Sequence, residues 1–174
     1  KESEIVRLCA KGDERAQRAV YDLLSPKMYP VCLRYAGDRD SAMDILQDGF
    51  ITLFGKIDSF RGDGSFEGWA RRIFVTTALM NLRKRDIFRN AEELDSASGE
   101  VNFSPEIFDK LSAADLMKII KSMPDGFRTV FNLYVIEGYS HQEIGEMLKI
   151  SDSSSRSQLS RARTWLQNKL KAEG

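Results

Sequence analysis

Residues 140–171 read SHQEIGEMLKISDSSSRSQLSRARTWLQNKLK, and the reading of this stretch decides what kind of fold the chain ends in. Ser140 and Glu143 have the capping-box spacing, in which each side chain answers a free backbone N–H at a helix start. Ile144, Met147 and Leu148 give the short helix that follows one apolar face. A break is expected from Lys149 to Ser151. A longer second helix then carries Leu159, Ala162, Leu166 and Leu170 inward, with Arg156, Ser157, Ser160, Arg161 and Arg163 largely outside that seam. A short helix, a tight turn and a longer helix with Arg, Ser and Gln outward is the arrangement that enters a DNA major groove.

Working outward, the rest of the chain shows helical spacing of apolar residues with little Gly or Pro, which predicts an all-α protein. The first helix carries Ile5, Leu8 and Cys9, and Gly12–Asp13 ends it. A second runs from about Asp13 to Leu24 with Ala16, Ala19, Val20, Leu23 and Leu24 inward, and Ser25–Pro26 is expected to start another. A further helix spans about Asp40 to Ile57, with Leu46, Phe50, Leu53, Phe54 and Ile57 buried. Asp44, Gln47, Asp48 and Ile51 line a different face of it, at spacings of three, four and seven. The loop FRGDGSF follows, then a helix from about Phe66 to Arg85.

Residues 86–112 turn polar and irregular and predict a flexible linker between two small helical domains. The expected boundaries are 1–88 for the first domain, 89–112 for the linker and 113–174 for the second. In the second, Leu116, Ile119, Ile120 and Met123 form one face, and Pro124 suits a helix start. Phe127, Val130, Phe131, Tyr134 and Val135 make the next stripe and Gly138 its cap, so the helix-turn-helix completes a four-helix domain.

Charge is balanced, with 26 basic and 26 acidic side chains in 174 residues, but it is unevenly placed. Arg83, Lys84, Arg85 and Arg89 cluster against Asp86. From Lys149 onward six Lys or Arg face only Asp152 and Glu173. Asp38, Asp40, Asp44 and Asp48 form an acidic stretch broken by Arg39. Separate zones suit one surface for DNA and another for a protein partner. Two cysteines without CxxC spacing and a single histidine suggest no disulfide framework, no metal site and no cofactor. No paired carboxylates or phosphate-binding loop point to catalysis, so a non-enzyme is expected. The absence of a signal-like start or a bilayer-length apolar run predicts a soluble, cytoplasmic protein with no membrane insertion.

Two blocks carry a family likeness. SAMDILQDGFITLFGKIDSFRGDGSFEGWARRIFVTTALMNLRKR resembles the promoter-melting domain of bacterial sigma factors, and MPDGFRTVFNLYVIEGYSHQEIGEMLKISDSSSRSQLSRAR resembles their upstream-element reader. Together, in this order, they resemble the small two-domain extracytoplasmic-function (ECF) group of the sigma-70 family. The resemblance implies that Asp44, Gln47, Asp48 and Ile51 dock on a coiled coil of the largest subunit of core RNA polymerase. It implies capture of the melted minus-ten strand by Phe60, Asp63, Ser65 and Phe66, with Arg71, Arg72, Asn81, Arg83 and Lys84 on the following helix. Stacking on such a site is worth about 1–3 kcal/mol per base. Trp69 reads mainly as core.

By the same resemblance, Ser151, Ser153, Ser154, Ser155, Arg156, Gln158, Ser160 and Arg161 read the minus-thirty-five element of promoter DNA as duplex. Arg156 is the first choice for a base contact, and His141 is expected at phosphate or in solvent. An anti-sigma factor is an implied partner. The chain departs from the family's usual Gly at Lys149 and Ala at Gly145, each expected to cost the reader domain about 1 kcal/mol. Thr76 stands where the family commonly has Asn. The rival reading is a stand-alone helix-turn-helix regulator, which would dimerise on a palindrome; no dimerisation seam is evident.

Overall fold

A computed structural model of the chain describes residues 1–84 and 110–173. The expected linker lies outside the described residues apart from its last three positions, as do Arg85 and Arg89. Every regular element among the described residues is helical, in keeping with the all-α expectation. They fall into two compact units, Lys1–Asn81 and Leu82–Gly174.

In the first unit, α1 (Glu2–Ala10) packs on α2 (Glu14–Ala36), and α2 packs on α3 (Arg39–Gly55). A 3₁₀ turn (Ile57–Ser59) and the loop after it lead to α4 (Phe66–Lys84). Helix α2 corrects the expectation of a break at Ser25–Pro26, because it runs unbroken through Pro26 and Pro30. Each internal proline removes a backbone bond and costs about 3 kcal/mol. Against that, Val20, Leu24, Met28, Val31, Cys32 and Tyr35 are all buried along one stripe, each contributing roughly 1.5–3 kcal/mol. Burial wins. The same stripe turns Ala19 and Leu23 outward, Leu23 being 57% exposed, and Ile5 of α1 also faces solvent.

Gly37, at φ 80°, ends α2 in the left-handed conformation, and Asp38 caps α3 by accepting from the Ser41 N–H at 2.8 Å. Gly49 faces α4 so closely that a Cβ there would stand 2.3 Å from the Phe74 ring. That ring meets Phe50 edge-on at 5.0 Å. Only glycine lets α3 and α4 approach this closely. Cys32 is buried, and burial pushes its thiol up to about 12, with its backbone hydrogen bond and Arg34 acting the other way.

In the second unit, α5 (Ala113–Ser122) starts at Ser112, whose hydroxyl accepts from the Asp115 N–H. Helix α6 (Asp125–Phe131) continues into a wider π turn (Asn132–Ile136). The extra residue in that turn shifts the buried face. Asn132 and Leu133 lie fully inside and Val135 is 43% exposed, so the regular stripe expected through Tyr134 and Val135 ends at Phe131. Arg128 is buried and donates to the Lys121 and Met123 carbonyls at 3.1 Å each, while pairing with Asp125. It thereby closes the end of α5. Helices α7 (His141–Leu148) and α8 (Asp152–Glu173) complete the unit, with α8 packed on both α6 and α7.

Candidate nucleic-acid interface

Helix α7 begins as its sequence requires. Ser140 Oγ accepts from the Glu143 N–H at 3.1 Å, and Glu143 accepts from the Ser140 N–H at 3.2 Å. The turn after α7 needs one left-handed residue, and Lys149 supplies it at φ 57°. Its N–H and that of Ile150 both return to the Gly145 carbonyl. Ser151 then starts α8 by accepting from the Ser154 N–H at 3.0 Å. Two helices are thus joined at a fixed angle by local hydrogen bonds.

Along α8, Leu159, Ala162 and Leu166 are buried as expected. The same seam continues one turn toward the N-terminus and takes in Ser155, which has no exposed surface, and Gln158, which is 5% exposed. Both were expected at DNA, and the structure instead turns them inward, Ser155 four residues before Leu159 and Gln158 four before Ala162. Ser153, Arg156, Ser157 and Ser160 fall on the opposite face at spacings of three, four and seven, with Ser153 and Arg156 exposed and Ser157 and Ser160 half-buried. Arg161 and Ser154 flank that face, half-buried, and Ser151 is exposed at its mouth. One cation among hydroxyls, at the start of a helix whose free N–H groups favour anions, suits a phosphate backbone and base edges.

His141 departs from the expectation of a solvated or phosphate-facing residue. Its Nδ1 lies 2.8 Å from Ser155 Oγ, and its ring stacks on Tyr134 at 4.4 Å. Burial, then Arg156 and Arg163, hold its pKa below the ordinary histidine value, with Asp152 acting the other way.

In the first unit, the loop from Phe60 to Phe66 turns on Gly62 and Gly64, both at positive φ. Asp63 and Ser65 are exposed, and Ser65 Oγ accepts from the Gly68 N–H at 2.9 Å at the start of α4. Phe60, Phe66 and Trp69 form a triangle of rings with centroids 5.3–5.7 Å apart. Phe66 is buried beneath it, so it supports the pocket rather than offering a free face, whereas Phe60 and Trp69 are half-exposed. Trp69 is therefore more open than a core residue.

On α4, Arg72, Thr76 and Arg83 share one face, with Arg72 and Thr76 open and Arg83 half-buried. Arg71 and Asn81 stand on other sides of the helix and are half-buried. The side chain of Lys84 lies outside the described residues.

Asp44, Gln47, Asp48 and Ile51 are brought together on the open face of α3, with Ile51 67% exposed. Asp44, Gln47 and Ile51 line a mainly apolar groove of about 380 Å³ together with Tyr21, Met43, Phe50 and Phe54. Sequence reasoning missed Tyr21 and Met43. Met43, Gln47, Ile51 and Phe54 make a second helical stripe, which was the available signal for Met43.

Residues 20–87 match the Sigma-70 region 2 family and residues 113–166 the Sigma-70 region 4 family. The ECF RNA polymerase sigma factor SigW of Bacillus subtilis is 31% identical over 179 residues, covering 95% of each chain. The chain belongs to the ECF sigma factors. SigE of Mycolicibacterium smegmatis, another ECF sigma factor, is also 31% identical, over 92% of this chain and 65% of its own. The sigma factor RpoE of Bartonella quintana, solved with its anti-sigma factor NepR, shares the fold, with a TM-score of 0.53 and 23% identity. The match spans 90% of this chain and 98% of that one.

Membership of the ECF group means promoter-specific transcription initiation with RNA polymerase. Among the described residues no helix of this sigma factor is long and apolar enough to cross a membrane.

Proposed function

We propose that this ECF sigma factor reads its promoter in two forms, as duplex at the minus-thirty-five element and as melted strand at the minus-ten element. The open face of α8, with Arg156 among Ser153, Ser157 and Ser160, is the observation that carries this reading. Ser151, exposed, and Ser154, half-buried, flank it and would contact phosphate. The half-exposed rings of Phe60 and Trp69, with exposed Asp63 and Ser65 in the same loop, supply a platform for an unstacked base. Such a platform contributes only when the strand is open, so it shifts the equilibrium toward the melted state. Arg72 and Arg83 track the strand along α4.

Core polymerase docks on the α3 face of Asp44, Gln47, Asp48 and Ile51. Exposed carboxylates beside an apolar groove suit an Arg-bearing coiled coil of the largest subunit. The protein makes and breaks no covalent bond. An anti-sigma factor, of the kind solved with the Bartonella relative, would hold it inactive by covering these faces.

Gel filtration with core polymerase tests the reading. Co-elution is expected, lost in Asp48→Arg, and specific promoter binding should require the polymerase. Tight palindrome binding by the sigma factor alone would instead establish a stand-alone regulator.

A further inference from the structure

His141 occupies the first position of α7 and is half-buried, held by two partners from two other elements. Its ring lies on Tyr134 of the π turn, centroids 4.4 Å apart and planes 17° apart. Nδ1 meets Ser155 Oγ of α8 at 2.8 Å. Ser155 is fully buried and is the immediate neighbour of Arg156, the exposed cation of the reading face. A buried hydroxyl needs a partner, and here that partner belongs to the other helix of the helix-turn-helix. Rotating α8 by one residue about its axis would break this pair and carry Arg156 roughly 100° away.

We infer that His141 is a positioning residue for promoter reading, which fixes the rotation of α8 through Ser155 and Tyr134 and so aims Arg156 at the duplex. This rests on the reading of α8 as the minus-thirty-five reader. The charges that face the imidazole are Arg156, Arg163 and Asp152, all from α8. The two guanidinium groups and burial favour the uncharged ring. An imidazolium would add a second cation beside Arg156 and force Ser155 Oγ to act as acceptor. Alignment of α8 therefore weakens as pH falls through the histidine range.

The test uses full-length sigma factor with core polymerase, and compares run-off transcription from one promoter with and without its minus-thirty-five element between about pH 6 and 8. The variants are His141→Ala, Ser155→Ala, the double variant and His141→Asn. In the last, the side-chain amide reaches the place of Nδ1 but cannot titrate. His141→Ala and Ser155→Ala should each lower stimulation by the element about three- to tenfold. Output from the element-free template and co-elution with core should not change. The double variant should be no worse than either single one. His141→Asn should keep the stimulation and lose its pH dependence.

Equal losses on both templates, or additive losses in the double variant, would reduce His141 to a stability residue and overturn the inference. Stimulation that is absent in the unsubstituted protein would overturn the reading of α8 itself and this inference with it.

Discussion

The backbone carbonyl oxygen of Ile150 lies 2.7 Å from the point where a Cβ on Gly145 would stand. Gly145 is therefore required by the turn that follows it, and is not the weakness that its helical position suggests. By propensity alone Gly145→Ala should gain about 1 kcal/mol. The contact reverses the sign, and we expect a loss of about 1–3 kcal/mol, the range for forced overpacking. Denaturant unfolding of the variant measures it.

Lys149 gives the opposite expectation. It holds φ 57°, ψ 46°, and no other described non-glycine residue has positive φ. Lys149→Gly removes a left-handed strain of about 1–2 kcal/mol and adds an unfolded-state entropy cost of roughly 0.5–1 kcal/mol. A net gain of about 0.5–1 kcal/mol should appear in the same unfolding measurement.

How far the sequence was legible follows from cases such as these. The capping box, the Lys149 break and the Leu159–Ala162–Leu166 seam were readable because they are local and periodic. The path of α2 through Pro26 and Pro30 was not, because burial along α3 outweighs the local signal. Nor was the π turn, whose extra residue shifts the buried face from Val135 to Asn132 and Leu133. Of the residues expected at duplex DNA, Ser155 and Gln158 turn inward, as counting four back from Leu159 and from Ala162 exposes. The contact of His141 with Ser155 had no sequence signal, since the two lie fourteen residues apart across a turn.

Gly49 presses on Phe74 with no room for a methyl group, at 2.3 Å from ring to ideal Cβ. The ring cannot retreat easily, because it is fully buried and packed on Phe50. Gly49→Ala should destabilise the first unit by about 1–3 kcal/mol. Calorimetry should show its transition shifted down, with that of the second unit unchanged.

The lowered His141 pKa sets a pH dependence of stability. The unfolded chain, with the ordinary value of 6.5, takes up the proton first as pH falls, whereas burial and the Arg156 and Arg163 charges oppose it in the folded state. More protons on the unfolded form mean that stability rises with pH. The contribution is fully present above 6.5 and is lost as pH drops below it. Unfolding of the second unit at about pH 7.5 and 5.5 should show this loss, and His141→Asn should abolish the His141 share of the difference.

Arg156 is the exposed cation of the reading face, and its truncation should weaken minus-thirty-five recognition by about 1–3 kcal/mol and relax base preference at one position. Ser155→Ala should leave that base preference unrelaxed, because its side chain is buried. A panel of single-base promoter variants, transcribed with each protein, separates the two.

Transcription from a randomised promoter library by core polymerase with this sigma factor tests the two-element reading of the promoter most directly. We predict new start sites that share two sequence blocks at one fixed spacing, the upstream one blurred by Arg156→Ala. Start sites identical to those of core polymerase alone, or a single block with no upstream partner, would contradict it.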